Sequence, residues 1–397
     1  MQRFTKLVFR VFVFLLPTQL AYHFWPDWAL VFGIRVDYLA PTVYLTDILA
    51  LILISLYFIQ KKKAKERKVN YKAWALILTF VILNTFFAKV PLIALFKWMK
   101  VLELYLIFTF VKNFKPLDFY QDFIKPLILS SLIFSVIGVL QFLRGATLGG
   151  VFYLLGERSF NLFTPGIALV KFYGKDYLRA YSTFSHPNSL AGFLSIVTIF
   201  IVVYIKKLFK NKFPLLGFGV IFLGLGLSFS LGALVALLTS FAFYSYFKKK
   251  PKAALLLVGV ASLALLFFQA PNLSRELPLN VRERADLAGV SRQISLQNPF
   301  TGIGLNNFTA AKISWSLQPV HNIYLLVFAE TGIAGVATLF YVFYKGLKKS
   351  SPLKDPSVFI SLLFILFVGL IDHYFLTLQQ NLLLFSLILG YSQKRQP

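Results

Sequence analysis

The chain has 397 residues, 58% of them hydrophobic, with a mean hydropathy of +0.72 and a formal net charge of +26. That hydropathy excludes an ordinary soluble globular protein, and apolar runs of spanning length predict an all-α, polytopic membrane protein. The runs are continuous and lack period-two alternation, which excludes a β-barrel; with no cysteine there is no disulfide, thiolate metal site or cysteine nucleophile.

Twelve spans are predicted, roughly 7–25, 40–60, 72–88, 91–111, 126–144, 187–205, 213–229, 231–247, 253–270, 319–344, 357–375 and 376–392. At about 17–26 residues each, they match a hydrocarbon core of about 30 Å with some tilt. The first follows Arg3 and Lys6 without a small-x-small cleavage site and reads as an uncleaved anchor. Alternate connections carry the lysines: Lys61-Lys62-Lys63 through Lys72, Lys112/Lys115/Lys125, Lys206/Lys207/Lys210/Lys212, Lys248-Lys249-Lys250/Lys252 and Lys345/Lys348/Lys349/Lys354. The positive-inside rule makes those connections, and both termini, cytoplasmic. The positive charge therefore sets orientation and does not point to nucleic acid. The chain reads as one integral membrane domain, 1–397, with two large outer loops at 145–186 and 271–318. No cytoplasmic connection is long enough for a nucleotide-binding domain, no Gly-rich phosphate loop occurs, and no internal repeat suggests a transporter of related halves.

The outer side is rich in arginine. Arg35, Arg144, Arg158, Arg179, Arg275, Arg282, Arg284 and Arg292 all fall there. A guanidinium fork grips phosphate oxygens bidentately, so this face suits an anionic, diphosphate-like ligand. Lipid-headgroup contacts and loop ion pairs are the alternative use of any one of them. Residues 280–296 predict a helix in the second loop, ended by Asn298-Pro299. On it Arg282 has Asp286 at i+4 as a partner, whereas Arg284 has no acid at i±3 or i±4 and is left for a ligand.

Two inward-running helices are expected to start at the outer face. One begins at Pro187, with Ser185 or His186 as its cap; the other begins at Pro319-Val320-His321. Both turn positive dipole ends outward. A helix N-terminus and nearby arginines disfavour imidazolium, which makes His321 a candidate general base; the alternative is an interfacial histidine satisfied by water. His23 and His373 stand at outer span ends without comparable surroundings. Glu330 lies about 13 Å along the same helix from His321, too deep to orient the imidazole. A structural pair of Glu330 with Lys100 or Lys97 is expected, with Glu103 as a second partner of Lys100. Gly332 and Gly335 fit close helix contact. The two outer loops hold only Glu157, Asp176, Glu276, Glu283 and Asp286 as acids, with no adjacent acidic pair and no His-x-x-x-His, so no bound divalent metal is expected.

His321-Asn322, nine residues, then Gly332-x-x-Gly335 resembles the signature of the O-antigen ligase and O-antigen polymerase superfamily. The stretch from Phe184-Ser185-His186-Pro187 to Gly192 is similar to that family's sixth-span entry. Arg284 followed by Pro299 and Gly302-Ile303-Gly304-Leu305-Asn306-Asn307-Phe308 resembles its outer-loop pattern. The chain departs from the family at Ser230-Leu231-Gly232, where relatives often have Ser-Arg-Gly, and at Ala288, where a tryptophan is common. The resemblance covers essentially the whole chain. It implies a multi-spanning (GT-C type) glycosyltransferase of the bacterial inner membrane, with its site facing the periplasm, metal-independent, inverting and without cofactor. The donor would be a glycan on undecaprenyl diphosphate. The acceptor would be a lipid A-core sugar in a ligase, or the growing repeat chain in a polymerase. His321 would take the acceptor proton, Arg284 and Arg179 would hold the diphosphate with Arg158 as a further contact, and His186, Asn188, Asn322, Glu330 and Lys100 would support them. A transporter of an anionic lipid-linked glycan would use the same arginines, and a non-enzymatic assembly scaffold is a third reading.

Overall fold

The computed structural model describes residues 1–61, 71–172, 174–210, 215–268, 277–311, 317–353 and 355–394. Arg275 and Glu276 of the second loop lie outside the described residues, as do Lys62, Lys63, Lys212 and Lys354 of the lysine clusters.

The chain opens with α1 (Gln2–Phe14). This helix is shorter than the span expected at 7–25. Pro17 has no N–H to continue it, and Thr18 turns its hydroxyl to the Leu155 carbonyl at 2.6 Å. Four short strands follow: β1 (Ala21–His23), β2 (Leu30–Val31), β3 (Ile34–Arg35) and β4 (Thr42–Tyr44). They form two antiparallel pairs, β1 with β4 and β2 with β3. Next come α2 (Leu45–Lys61), α3 (Tyr71–Phe86), α4 (Pro91–Asn113) and α5 (Lys125–Arg144); a π-helical stretch at Phe119–Ile124 leads into the last. The expected first loop holds a 3-10 turn at Gly150–Leu155 and the antiparallel hairpin of β5 (Leu169–Phe172) and β6 (Lys175–Leu178).

The second half is α6 (Pro187–Lys210), α7 (Leu215–Leu227), α8 (Leu231–Phe247), α9 (Pro251–Phe268), α10 (Leu277–Gln297), α11 (Ile323–Ser350), α12 (Pro356–Val368), α13 (Tyr374–Thr377) and α14 (Gln379–Gln393). The expected boundary between spans at 375 and 376 is displaced. α12 stops at Val368, and the connection Gly369–His373 and the short α13 precede α14.

Helices dominate the fold. Phe119–Arg144, Pro187–Lys210 and Ile323–Ser350 are each long and apolar enough to cross a membrane. α3, α7, α8 and α12 are apolar but shorter. The outer faces of this bundle are themselves apolar: Leu76 is 72% exposed, Phe86 74% and Leu255 72%. Water-facing surfaces rarely carry patches of that kind, whereas a hydrocarbon phase imposes no cost on them. The chain has the make-up of a helical membrane protein.

α6 sits at the centre. Its side chains from Leu190 to Ile201 are nearly all buried, against α12 and α14 among others. α4 packs on α14, α5 on α7, and α8 on α9 and α12. α10 lies along α11, where Leu287 and Ile294 share a buried cluster with Val320, Leu326 and Ala329. Ser291 Oγ donates to the Leu325 carbonyl at 2.9 Å and holds that contact in register.

α11 is interrupted at Gly332, with φ 63° and ψ −165°. Only glycine tolerates that backbone, and it also admits the chain at 299–300. A Cβ there would lie 2.3 Å from the Phe300 carbonyl oxygen, and Ile333 N–H donates to the Pro299 carbonyl at 2.9 Å. The close contact expected of Gly332 is thus with a loop and not with another helix. Gly332→Ala is expected to cost about 1–3 kcal/mol from backbone strain alone, with the clash in addition. It should appear as a clear fall in melting temperature of the detergent-solubilised protein; an unchanged melt would show that the interruption is not required.

Candidate active site

Three connections meet at one end of the bundle: Tyr181–His186 before α6, Pro319–Asn322 before α11, and Gly369–His373 after α12. Each is built by local chemistry. His186 Nδ1 accepts the Asn188 N–H at 3.1 Å, so His186 serves as the cap that Pro187 calls for. Asn322 caps α11, accepting the Tyr324 and Leu325 N–H groups at 2.9 and 3.0 Å. The helix therefore starts after His321 and not at Pro319. Asn322 Nδ2 also donates to the Leu370 carbonyl at 3.0 Å, and Ile323 N–H to the Gly369 carbonyl at 2.8 Å. A Cβ on Gly369 would stand 2.4 Å from Ile323 Cδ1, so glycine is what lets the two connections touch.

This junction gives His321 the company that sequence reading withheld. The rings of His321 and His373 meet edge-on, 5.1 Å between centroids. His321, Asp372 and His373 each present a donor atom within 4.8 Å of the others. His373, set aside above for want of surroundings, is buried, and His321 is not a lone titratable group. Asp372 accepts the His373 N–H on Oδ1 at 2.8 Å and Asn188 Nδ2 on Oδ2 at 3.0 Å. His373 Nδ1 lies 2.7 Å from Thr377 Oγ1, whose own hydrogen goes to the His373 carbonyl at 3.1 Å. With that proton committed, Nδ1 carries the hydrogen and Nε2 keeps its lone pair. Among the described residues His321 Nδ1, which is buried, has no hydrogen-bond partner.

The electrostatics separate the groups. Burial pushes His186 down to about 3, helped by Arg179, and His373 down to about 4, against the pull of Asp372. His321 is lowered as well, by burial and Arg284, with Asp372 and Glu283 opposing. All three imidazoles are neutral at pH 7. Burial alone would raise Asp372, but His373, His321 and Arg284 outweigh it and hold the carboxyl below its usual range.

The site opens into a cavity of about 360 Å³. His186, Asn188, His321, Asp372 and His373 line it together with Asp37, Tyr38, Arg158, Lys97 and Lys100. Arg158 reaches Asp37 at 3.5 Å, with both side chains about half exposed. Arg284 is exposed; its Nη1 donates to the Ile371 carbonyl at 3.1 Å, next to Asp372, and among the described residues that is the one side-chain hydrogen bond its fork makes. Among the described residues no ion pair joins Arg282 to Asp286, because both are exposed on α10 and water competes for them. Arg179 is turned inward. Its Nε donates to the Ser228 carbonyl and its Nη2 to Asn188 Oδ1, each at 2.7 Å, and burial lowers it to about 10. It positions Asn188, and through it Asp372.

No protein-family model matches the chain, and no curated protein matches its sequence.

The deeper charges sort differently from the expected pairing. Lys100 is ion-paired to Asp47 and, at 3.5 Å, to Glu103; Gln379 Nε2 also bonds Asp47. Glu330 instead accepts the backbone N–H groups of Asn306 on Oε2 at 2.8 Å and Phe308 on Oε1 at 3.1 Å. The glycines of 302–308 explain the preference. Gly302 lets the loop run against the Glu330 backbone and Gly304 lets it pass Ala88, and the loop's amides reach the carboxylate.

Sequence reasoning missed Asp372 and Asp47. Asp372-His373 was readable as an acid and a base side by side at an outer span end, and Asp47 as an acid at a helix start.

Proposed function

We propose that the chain is a polytopic membrane glycosyltransferase of the O-antigen ligase kind. It moves a glycan from undecaprenyl diphosphate to an acceptor hydroxyl of lipid A-core, at the periplasmic face of a bacterial inner membrane. In this reading twelve spans cross the membrane with both termini cytoplasmic. The observation that carries it is one neutral, cavity-lining imidazole, His321, beside the Asp372 carboxylate and within the field of Arg284.

The chemistry balances simply. The acceptor oxygen attacks the anomeric carbon while the bond from that carbon to the diphosphate oxygen breaks. The hydroxyl proton passes to His321, and the lipid diphosphate departs with the bonding pair. The reaction is inverting and metal-independent. Asp372 stabilises the imidazolium so formed, and Arg284 and Arg158 meet the charge developing on the leaving group. Arg179 keeps Asn188 and Asp372 in place. His186 has its Nδ1 occupied and so presents Nε2–H as a donor.

Purified protein given lipid-linked glycan, with either lipid A-core or a second lipid-linked repeat as acceptor, tests the reading. Product on lipid A-core supports a ligase, lengthened lipid-linked chains support a polymerase, and no transfer to either counts against both. The pH profile has a defined sign. Protonated His321 is inactive as a base and its pKa is lowered, so kcat/KM should stay level down to about pH 6.5 and fall only below it. An acid limb centred clearly above that would remove His321 from the role.

A further inference from the structure

We infer that His321, Asp372 and His373 form a binding site for a transition-metal ion of the zinc or cobalt kind, and that its occupancy suppresses transfer. The binding half stands by itself; the suppression half rests on the role proposed for His321.

The donor set is two imidazole nitrogens and one carboxylate, all within 4.8 Å of one another. That mixture suits zinc or cobalt, whereas magnesium and calcium prefer an all-oxygen shell. Each ligand has a lone pair to give. His321 Nδ1 is buried and, among the described residues, without a hydrogen-bond partner, so it is open to a ligand. His373 Nδ1 lies 2.7 Å from Thr377 Oγ1, and with the Thr377 hydrogen on the His373 carbonyl this assigns the proton to Nδ1 and leaves the lone pair on Nε2. Asp372 has one hydrogen bond on each oxygen, from His373 N–H and from Asn188, which leaves further acceptor capacity on both. Hydrogen bonds to the far side of a ligating imidazole and carboxylate are the usual outer support of a metal site, since they fix tautomer and orientation. His186, the third imidazole of the region, is excluded because its Nδ1 already accepts the Asn188 N–H.

Ligands at about 2.0–2.2 Å from one ion stand closer together than 4.8 Å. Closing that gap falls to His321. His373 is buried and held at Thr377, and Asp372 is held at Asn188, whereas His321 is half-buried with an unbonded Nδ1. All three line the cavity, which gives an ion its approach. An ion so held engages the imidazole that would receive the acceptor proton and places a positive charge beside it. Metal and acceptor therefore compete for His321.

The test is Co²⁺ titration of chelator-stripped, detergent-solubilised full-length protein, read by visible d–d absorption. One Co²⁺ per chain is expected, displaced by Zn²⁺ and lost in His373→Ala. His321→Ala, at a half-buried position, should lose it too and guards against a folding defect in the first variant; melting curves are recorded for both. No stoichiometric Co²⁺ spectrum, or the same spectrum in well-folded His373→Ala, overturns the site. In the transfer assay, saturating Zn²⁺ should lower the rate by about 10²-fold, the lower end of a general base's contribution. Transfer at full rate with Zn²⁺ bound overturns the suppression. Bound Co²⁺ with no glycan transfer under any metal condition upholds the site and counts only against the transferase reading.

Discussion

His321→Ala should lower glycan transfer by about 10²–10⁴-fold, the range a positioned general base contributes, while the protein still folds. The imidazole is half-buried, and among the described residues its Nδ1 makes no hydrogen bond. The start of α11 is held by other groups: the Asn322 cap, Ile323 N–H on the Gly369 carbonyl, and Tyr324 Oη on the Leu366 carbonyl at 2.7 Å. The loss should fall on kcat, because the proton moves only as the acceptor attacks. Unchanged transfer at matched expression would sink the catalytic assignment.

Glu330→Ala is expected to act on stability. Its carboxylate satisfies two backbone amides of the 302–308 loop, one of them on Asn306, which sits at φ 62°. Each buried amide left unpaired costs about 1–3 kcal/mol. Lys97, which also lies in the field of Glu330, would lose a nearby opposite charge. Low yield and a strongly reduced melting temperature are the expected readouts. Glu330→Gln should recover part of the loss, because its carbonyl serves one amide while its NH₂ opposes the other. A variant that melts like wild type yet transfers poorly would move Glu330 into the chemistry.

These two residues show where sequence reading succeeded and where it stopped. Their depth along one helix was readable from rise per residue, which already separated a cavity-mouth imidazole from a buried carboxylate. The partners were not readable. Charge complementarity pairs Glu330 with a lysine, yet its carboxylate is bonded by amides of the loop that Gly302 brings against it. Lys100 went to Asp47, from a helix start that hydropathy passes over as a span end. The motif offers Arg179 as a ligand clamp; in the fold its guanidinium is turned inward, with Nε on the Ser228 carbonyl and Nη2 on Asn188.

The amino-acid sequence by itself determined the helical class, the helix start at Pro187 with His186 as its cap, and the helix in the second loop. These follow from hydropathy, proline and capping chemistry, all of which act within a few residues of chain. Only the tertiary structure decided that Asp372 and His373 stand beside His321, that Arg179 faces inward, and that α11 breaks at Gly332 to admit the loop at 299–300. Those outcomes depend on which helix ends meet and how closely glycine lets them approach, and no local pattern records a distance between segments so far apart in the chain.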